Sequence, residues 1–126
     1  MIGVVYDTAV LVAADGNERR AWAEHKVRLE LGILPFVPAP VVAQASRSPR
    51  QVQLRRFLRG CTVVPFGEQE AHEAGRLMAR AKTADVVDAA VAATAIREQA
   101  TVLTGDTTDI ERLLAASGAA IRVVAV

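Results

Sequence analysis

Four aspartates, Asp7, Asp88, Asp106 and Asp109, fall where the chain leaves a strand or enters a helix. Their carboxylates are hard oxygen donors, and no His or Cys accompanies them, so the cations they suit are Mg²⁺ or Mn²⁺ rather than zinc. Such an ion activates a bound water and stabilises charge on a phosphoryl group, which is the chemistry of phosphodiester hydrolysis. Each Asp taken alone has a plainer role as a helix cap or a first-turn acid, worth roughly 0.3–2 kcal/mol. Asp85-Val86-Val87-Asp88 and Asp106-Thr107-Thr108-Asp109 both have the spacing of a cap followed by an acid three residues on, and Asp7 can cap a helix that begins at Thr8. As a group, however, the acids conflict. Two unit charges ~4 Å apart at an effective dielectric near ~20 repel by ~4 kcal/mol, more than a cap returns. Without a cation some must hold protons at raised pKa values, and a divalent cation removes the conflict. Asp85, one turn before Asp88, reads first as an N-cap and second as a group that holds a metal-bound water.

Two periodicities alternate along the chain and place these acids. Ile2 to Tyr6 is a short apolar run rich in β-branched residues, the pattern of a strand buried on both faces, and Asp7 ends it. Thr8 to Ala14 reads as a short helix, and Glu18 to Leu31 as a longer amphipathic one stopped by Gly32. Pro35, Pro38 and Pro40 mark an extended linker. Val41 to Ala45 opens a third helix, and Pro49, at the first helical position, starts a fourth that runs to Leu58. Thr62 to Phe66 is a second strand, Glu68 to Ala81 a helix, and Asp85 to Gln99 an apolar helix that belongs in the core. Thr101 to Thr104 is a third strand, Asp109 to Ala116 a helix, and Ile121 to Val126 a final strand. Strands separated by helices predict a parallel sheet with right-handed crossovers and helices on both faces. Ligands bind such sheets beyond the carboxyl ends of the strands, where strand order reverses, and Asp7 and Asp106 both follow strands.

Composition limits the setting. With 126 residues, 52% of them apolar, the chain is expected to form one domain, 1–126, around a sizeable core. Cys61 stands alone, which excludes an intrachain disulfide. The start of the chain lacks a signal-peptide pattern and no apolar run reaches the ~18 residues of a membrane span, so a cytoplasmic setting without a membrane partner is expected. The net charge of +1 hides an asymmetry, because residues 1–60 carry nine Lys/Arg against five Asp/Glu and residues 61–126 carry six against nine. Arg47, Arg50, Arg55, Arg56 and Arg59 lie in a stretch without an acid, and can either neutralise phosphates or form a solvated helix face. His25 and His72 lie outside the acidic motifs and are expected to face solvent. Trp22, Phe57 and Cys61 are expected in the core or an interface.

The ordered motifs carry a family resemblance. Asp7-Thr8 after the first strand, Asp88 to Ala93 in a buried helix, and Thr104-Gly105-Asp106 with Asp109 after a later strand look like a PIN domain. The short length resembles the VapC toxins of bacterial VapBC toxin-antitoxin pairs, and the resemblance in element order extends to Val123-Val124-Ala125-Val126. It implies a three-layer α/β/α fold with a central parallel sheet of four to five strands. It also implies a metal-dependent endoribonuclease in which Asp7, Asp88, Asp106 and Asp109 hold Mg²⁺ or Mn²⁺ and a metal-activated water attacks the RNA. Thr104 matches the small hydroxyl residue two before the strand-end Asp, Thr8 joins it as a supporting group, and Arg47, Arg50, Arg55 and Arg56 become candidate RNA contacts. The resemblance further implies a homodimer and a cognate VapB-like antitoxin that lays its C-terminal segment across the site. One position departs from the pattern. Where the family commonly has a Glu in the helix after the Pro-rich segment, this chain has Gln44. Its amide oxygen can face a metal-bound water but adds no charge, so weaker metal binding is expected and the number of ions stays open.

Two other functions compete. A PIN-like module that binds RNA or a partner without cutting fits a site one carboxylate short. A receiver-like domain phosphorylated on Asp fits poorly, because Asp7 has no acidic neighbour and no Lys follows a late strand.

Overall fold

The run Gly3–Tyr6 forms strand β1, and all its residues are buried because neighbours cover both its faces and both its edges. The computed structural model describes residues 2–126, Met1 lying outside them. After β1 come α1 (Thr8–Asp15), α2 (Arg19–Glu30), β2 (Leu34–Pro38), α3 (Ala39–Ala45), α4 (Val52–Leu58) and β3 (Thr62–Val64). The chain continues through α5 (Glu68–Ala81), α6 (Val86–Glu98), β4 (Thr101–Thr104), α7 (Thr107–Ser117) and β5 (Val123–Ala125). The five strands are all parallel in the order β3-β2-β1-β4-β5. The chain builds outward from β1 through β2 to β3, then returns to lay β4 on the other side of β1. Strand order therefore reverses between β1 and β4. Together with the helices on both sides, this is the parallel three-layer α/β/α arrangement that the alternating periodicities predict, with a five-stranded sheet as the resemblance implies. No helix among the described residues is long and apolar enough to cross a membrane.

Helix α6 sits deepest. Ala89 through Ala95 are all buried, and α6 packs on β1, β2 and β4 while α5 and α7 pack against it. Alanines make this possible by letting the helix approach the sheet and both neighbouring helices with little side-chain bulk. Thr94, the polar exception, donates its hydroxyl to Ala90 O at 2.8 Å and so leaves no buried group unpaired.

Prolines account for the main departures from the predicted elements. The segment read as a linker contains β2, paired to β1 and to β3. A proline inside a sheet ordinarily loses a ladder bond. Here Pro35 precedes the first β2–β3 pair, Phe36 with Thr62, and Pro38 follows the last β1–β2 pair, Val5 with Phe36. The missing amides thus fall at ladder ends. Pro40 belongs to the first turn of α3, where its N–H would have had no helical partner. Pro49 does not start a helix. Gln51 Oε1 takes the amides of Arg47 at 2.6 Å and Ser48 at 3.0 Å, which holds residues 47–51 in a turn, and α4 begins only at Val52. Pro65 stops β3 at Val64, short of the predicted Phe66.

His25 also departs from expectation, being 3% exposed rather than facing solvent. Trp22, His25 and Arg28 follow helical spacing along one stripe of α2 that faces inward, with Trp22 and Arg28 half-buried and His25 buried. The His25 ring lies 4.0 Å, centroid to centroid, from Phe57, with Tyr6 and Trp22 completing an aromatic cluster. Gly60 leaves room for it, since a Cβ at Gly60 would lie 2.9 Å from His25 Nε2. Arg28 donates to the Tyr6 hydroxyl oxygen at 3.2 Å, so the hydroxyl proton is free to go to His25 Nδ1 at 2.7 Å. That nitrogen is therefore an unprotonated acceptor.

Burial, helped by the charge of Arg28, lowers the His25 pKa from 6.5 to about 4. Between those values the unfolded chain binds a proton that the folded protein refuses, so the stability tied to His25 is complete above 6.5 and lost as pH falls towards 4. Denaturant midpoints are expected to drop across this window, and His25→Gln to flatten the drop. A slope unchanged by the substitution would place its source elsewhere.

Candidate active site

Of the helices that start at the carboxyl edge of the sheet, three carry aspartate caps. Helices α1 and α7 follow β1 and β4 and so start at that edge, while α6 precedes β4 and must run antiparallel to it, which puts its first turn there too. Each helix begins with an aspartate cap. Thr8 N donates to Asp7 Oδ1 at 2.7 Å, Asp88 N to Asp85 Oδ1 at 2.9 Å and Asp109 N to Asp106 Oδ1 at 3.4 Å. Asp88 and Asp109 are then the third residues of α6 and α7. The capping role weighed for each acid is real, and three helix dipoles offset part of the charge gathered here.

Asp7 is the anchor, at 7% exposure. Its backbone N donates to Leu103 O at 3.0 Å, and Thr104 Oγ1, itself fully buried, donates to Asp7 Oδ2 at 2.6 Å. Asp106 N donates in turn to Thr104 Oγ1 at 3.0 Å. One hydroxyl thus ties the Asp at the end of β1 to the Asp that caps α7. Gly105 lets the two turns approach, since a Cβ there would lie 3.0 Å from Ala9 Cβ.

Charge is not fully compensated at Asp88. Burial first, then the carboxylates of Asp85, Asp7, Asp109 and Asp106, raise its pKa from 3.8 to about 7. Asp109 is also raised, by a hydrogen bond shared with the Asp106 side chain and by the charge of Asp106. The five acids therefore form one electrostatic cluster, with Asp88 held towards its protonated form. Aspartate oxygens without His or Cys are the donor set of a hard divalent cation. Among the described residues no three of these groups converge closely enough to enclose an ion outright. A hydrated cation that needs only one or two direct carboxylates suits this arrangement better than a dehydrated one.

Gln44 joins the site through Thr8, whose hydroxyl donates to Gln44 Oε1. The arginines lie elsewhere. Gln51 donates to Asp15 Oδ2 and to Ala45 O, both at 3.0 Å, and so fastens the 46–51 turn to the far end of α1, about 12 Å along the helix from Asp7. Gln51 thereby positions the turn, a role that a lone Gln in a polar loop does not signal in sequence. Arg47, Arg50, Arg55 and Arg56 are exposed, and among the described residues none pairs with a carboxylate. Arg55 donates to Pro49 O, and Arg56 stacks 5.5 Å from the Trp22 ring centroid. Cys61 is half-buried, with burial pushing its thiol pKa up to about 12, so it is no nucleophile. His72 sits on the surface 3.8 Å from Glu68.

A parallel α/β domain with a carboxylate cluster at its topological switch point defines the class. The chain belongs to the PIN domain family, whose model matches residues 4–113. Solved structures share the fold. The chain is similar to VapBC2 from Rickettsia felis bound to a promoter DNA fragment, with a TM-score of 0.73 and 16% identity over 99% of both chains. It is similar to DNA-bound VapBC from Salmonella typhimurium, with a TM-score of 0.71 and 16% identity over 99% of this chain and 98% of that one. A third likeness is to FitAcB from Neisseria gonorrhoeae, with a TM-score of 0.64 and 19% identity over 95% of each. No curated protein matches the sequence.

The raised pKa of Asp88 has a measurable sign. Between 3.8 and about 7 the folded protein binds a proton that the unfolded chain releases, so this group's contribution to stability falls as pH rises through that window. That slope opposes the one from His25. In metal-free protein, Asp88→Asn is expected to raise the melting temperature by roughly 2–6 °C at pH 8 and by less at pH 5. Scanning calorimetry at the two pH values checks it, and an equal effect at both would refute it.

Proposed function

We propose that the chain is a Mg²⁺- or Mn²⁺-dependent endoribonuclease toxin of the VapC type, restrained by a cognate antitoxin. The observation that carries this reading is Asp88, whose half-buried carboxyl faces the charge of Asp85, Asp7, Asp109 and Asp106. Caps and helix dipoles leave that charge uncompensated, and a divalent cation would relieve it. Membership of the PIN family, whose domains are generally nucleases, supports hydrolysis, and the likeness to the solved VapBC and FitAcB structures supports an antitoxin partner.

Asp7, Asp88, Asp106 and Asp109 would hold the metal, and the bound metal would supply an activated water and neutralise charge on the phosphate. The chain's own residues prepare that site. Thr104 and Thr8 fix both oxygens of Asp7 by hydrogen bonds. The N-termini of α1, α6 and α7 present backbone N–H groups at the edge a phosphate would approach. The exposed arginines draw in the polyanion along α1. Because the attacking group would be a metal-activated water, no side chain is needed as a covalent nucleophile, and His25 is buried with Nδ1 engaged by Tyr6. A homodimer, a VapB-like antitoxin and a cytoplasmic setting complete the proposal. The competing reading, a PIN-like module that binds RNA without cutting, draws on the neutral Gln44 and on the absence of a three-carboxylate cage among the described residues.

Purified protein is expected to cleave RNA with Mg²⁺ or Mn²⁺ and to lose that activity in EDTA. Asp7→Asn and Asp106→Asn should each reduce it by at least about 10–100-fold, the loss typical even of groups that only support a metal. Equal cleavage in every sample would sink the proposal. Replacing Arg47 or Arg50 by Ala should weaken RNA binding and lower the slope of log affinity against log salt by about 0.7 per residue, read by fluorescence anisotropy. An unchanged slope would remove those arginines from the interface.

A further inference from the structure

We propose that Gln44 contacts the substrate, donating its side-chain N–H to a phosphate oxygen of the RNA, and is not a ligand of the metal. This rests on the ribonuclease reading of the acidic site. The amide oxygen is already engaged, because Thr8 Oγ1 donates to Gln44 Oε1 while Thr8 N donates to Asp7 Oδ1. Thr8 thus fixes the side chain with its oxygen turned towards the protein. The amide nitrogen carries the two remaining N–H groups, has no hydrogen-bond partner among the described residues, and belongs to an exposed side chain at the border of the cluster. Next to these acids a carboxylate would add repulsion and would also repel a phosphate. A neutral amide does neither, and the groups it offers outward are donors, which the non-bridging oxygens of a phosphodiester accept. The position therefore gives up metal affinity and gains a phosphate contact.

Mn²⁺ binding is to be measured by calorimetry on the wild type, Gln44→Ala, Gln44→Glu and Thr8→Val. The affinity of each variant for a labelled RNA oligonucleotide is to be read by anisotropy in an Asp106→Asn background, with kcat and KM taken in the Asp106-intact proteins. Gln44→Ala should bind Mn²⁺ within about twofold of the wild type and bind RNA about fivefold more weakly, with the loss in KM and not in kcat. Gln44→Glu should tighten Mn²⁺ binding while weakening RNA binding further than Ala does. Thr8→Val, which releases the amide, should weaken RNA binding in the same direction. A tenfold loss of Mn²⁺ affinity in Gln44→Ala would make Gln44 a metal ligand and overturn the proposal. Cleavage by the wild type with RNA binding unchanged in Gln44→Ala would overturn it too, leaving the ribonuclease reading intact. A wild type that neither binds Mn²⁺ nor cleaves RNA would overturn that reading, and this proposal with it.

Discussion

Burial of the Asp7 carboxylate between β1 and β4 is the constraint on which the rest of the site depends. An ionised group taken out of water is tolerated only where hydrogen bonds replace hydration. Asp7 receives one on each oxygen, from the Thr8 amide and the Thr104 hydroxyl, and its own amide is held by Leu103. These contacts need β4 beside β1, in the register that places Tyr6 opposite Leu103. They also need α1 to start without a linker. The crossover that brings β4 back to the centre of the sheet is thus what makes the acidic site possible.

Capping and metal binding look like rival explanations when the aspartates are considered one by one. In the folded protein the caps do not use every carboxylate oxygen. Asp85 and Asp106 each cap through Oδ1, leaving the second oxygen free of that duty. The helix N-termini gather the carboxylates and offset part of their repulsion, while the remainder falls on Asp88, which is half-buried and only partly screened by water.

Much of this architecture is written in local pattern. The buried runs of β1 and β4, the alanine-rich α6 and the cap spacings of Asp85 and Asp106 are all short-range signals, and they predict the elements that hold the acids. Other features depend on contacts distant in sequence. Pro35 and Pro38 read as linker residues because a proline costs a sheet a hydrogen bond, and only the register of both neighbours shows that the missing amides fall at ladder ends. His25 reads as polar surface until Tyr6, Phe57 and Gly60 close around it. Which side of the Gln44 amide faces the protein depends on Thr8, 36 residues away in the chain.

Gly105 carries no charge and donates to no side chain, yet it sets how closely the β4–α7 turn can approach α1. A methyl group there would meet Ala9 at 3.0 Å. The acid site is thus specified partly by missing volume. Its carboxylates sit at the starts of three helices, and the bare Gly105 lets the turn that carries Asp106 come close enough for the Thr104 hydroxyl to link it to Asp7. A list of its acids therefore understates what shapes the cluster, since a neutral wedge of a single carbon can change the spacing of a site whose carboxylates are all still present.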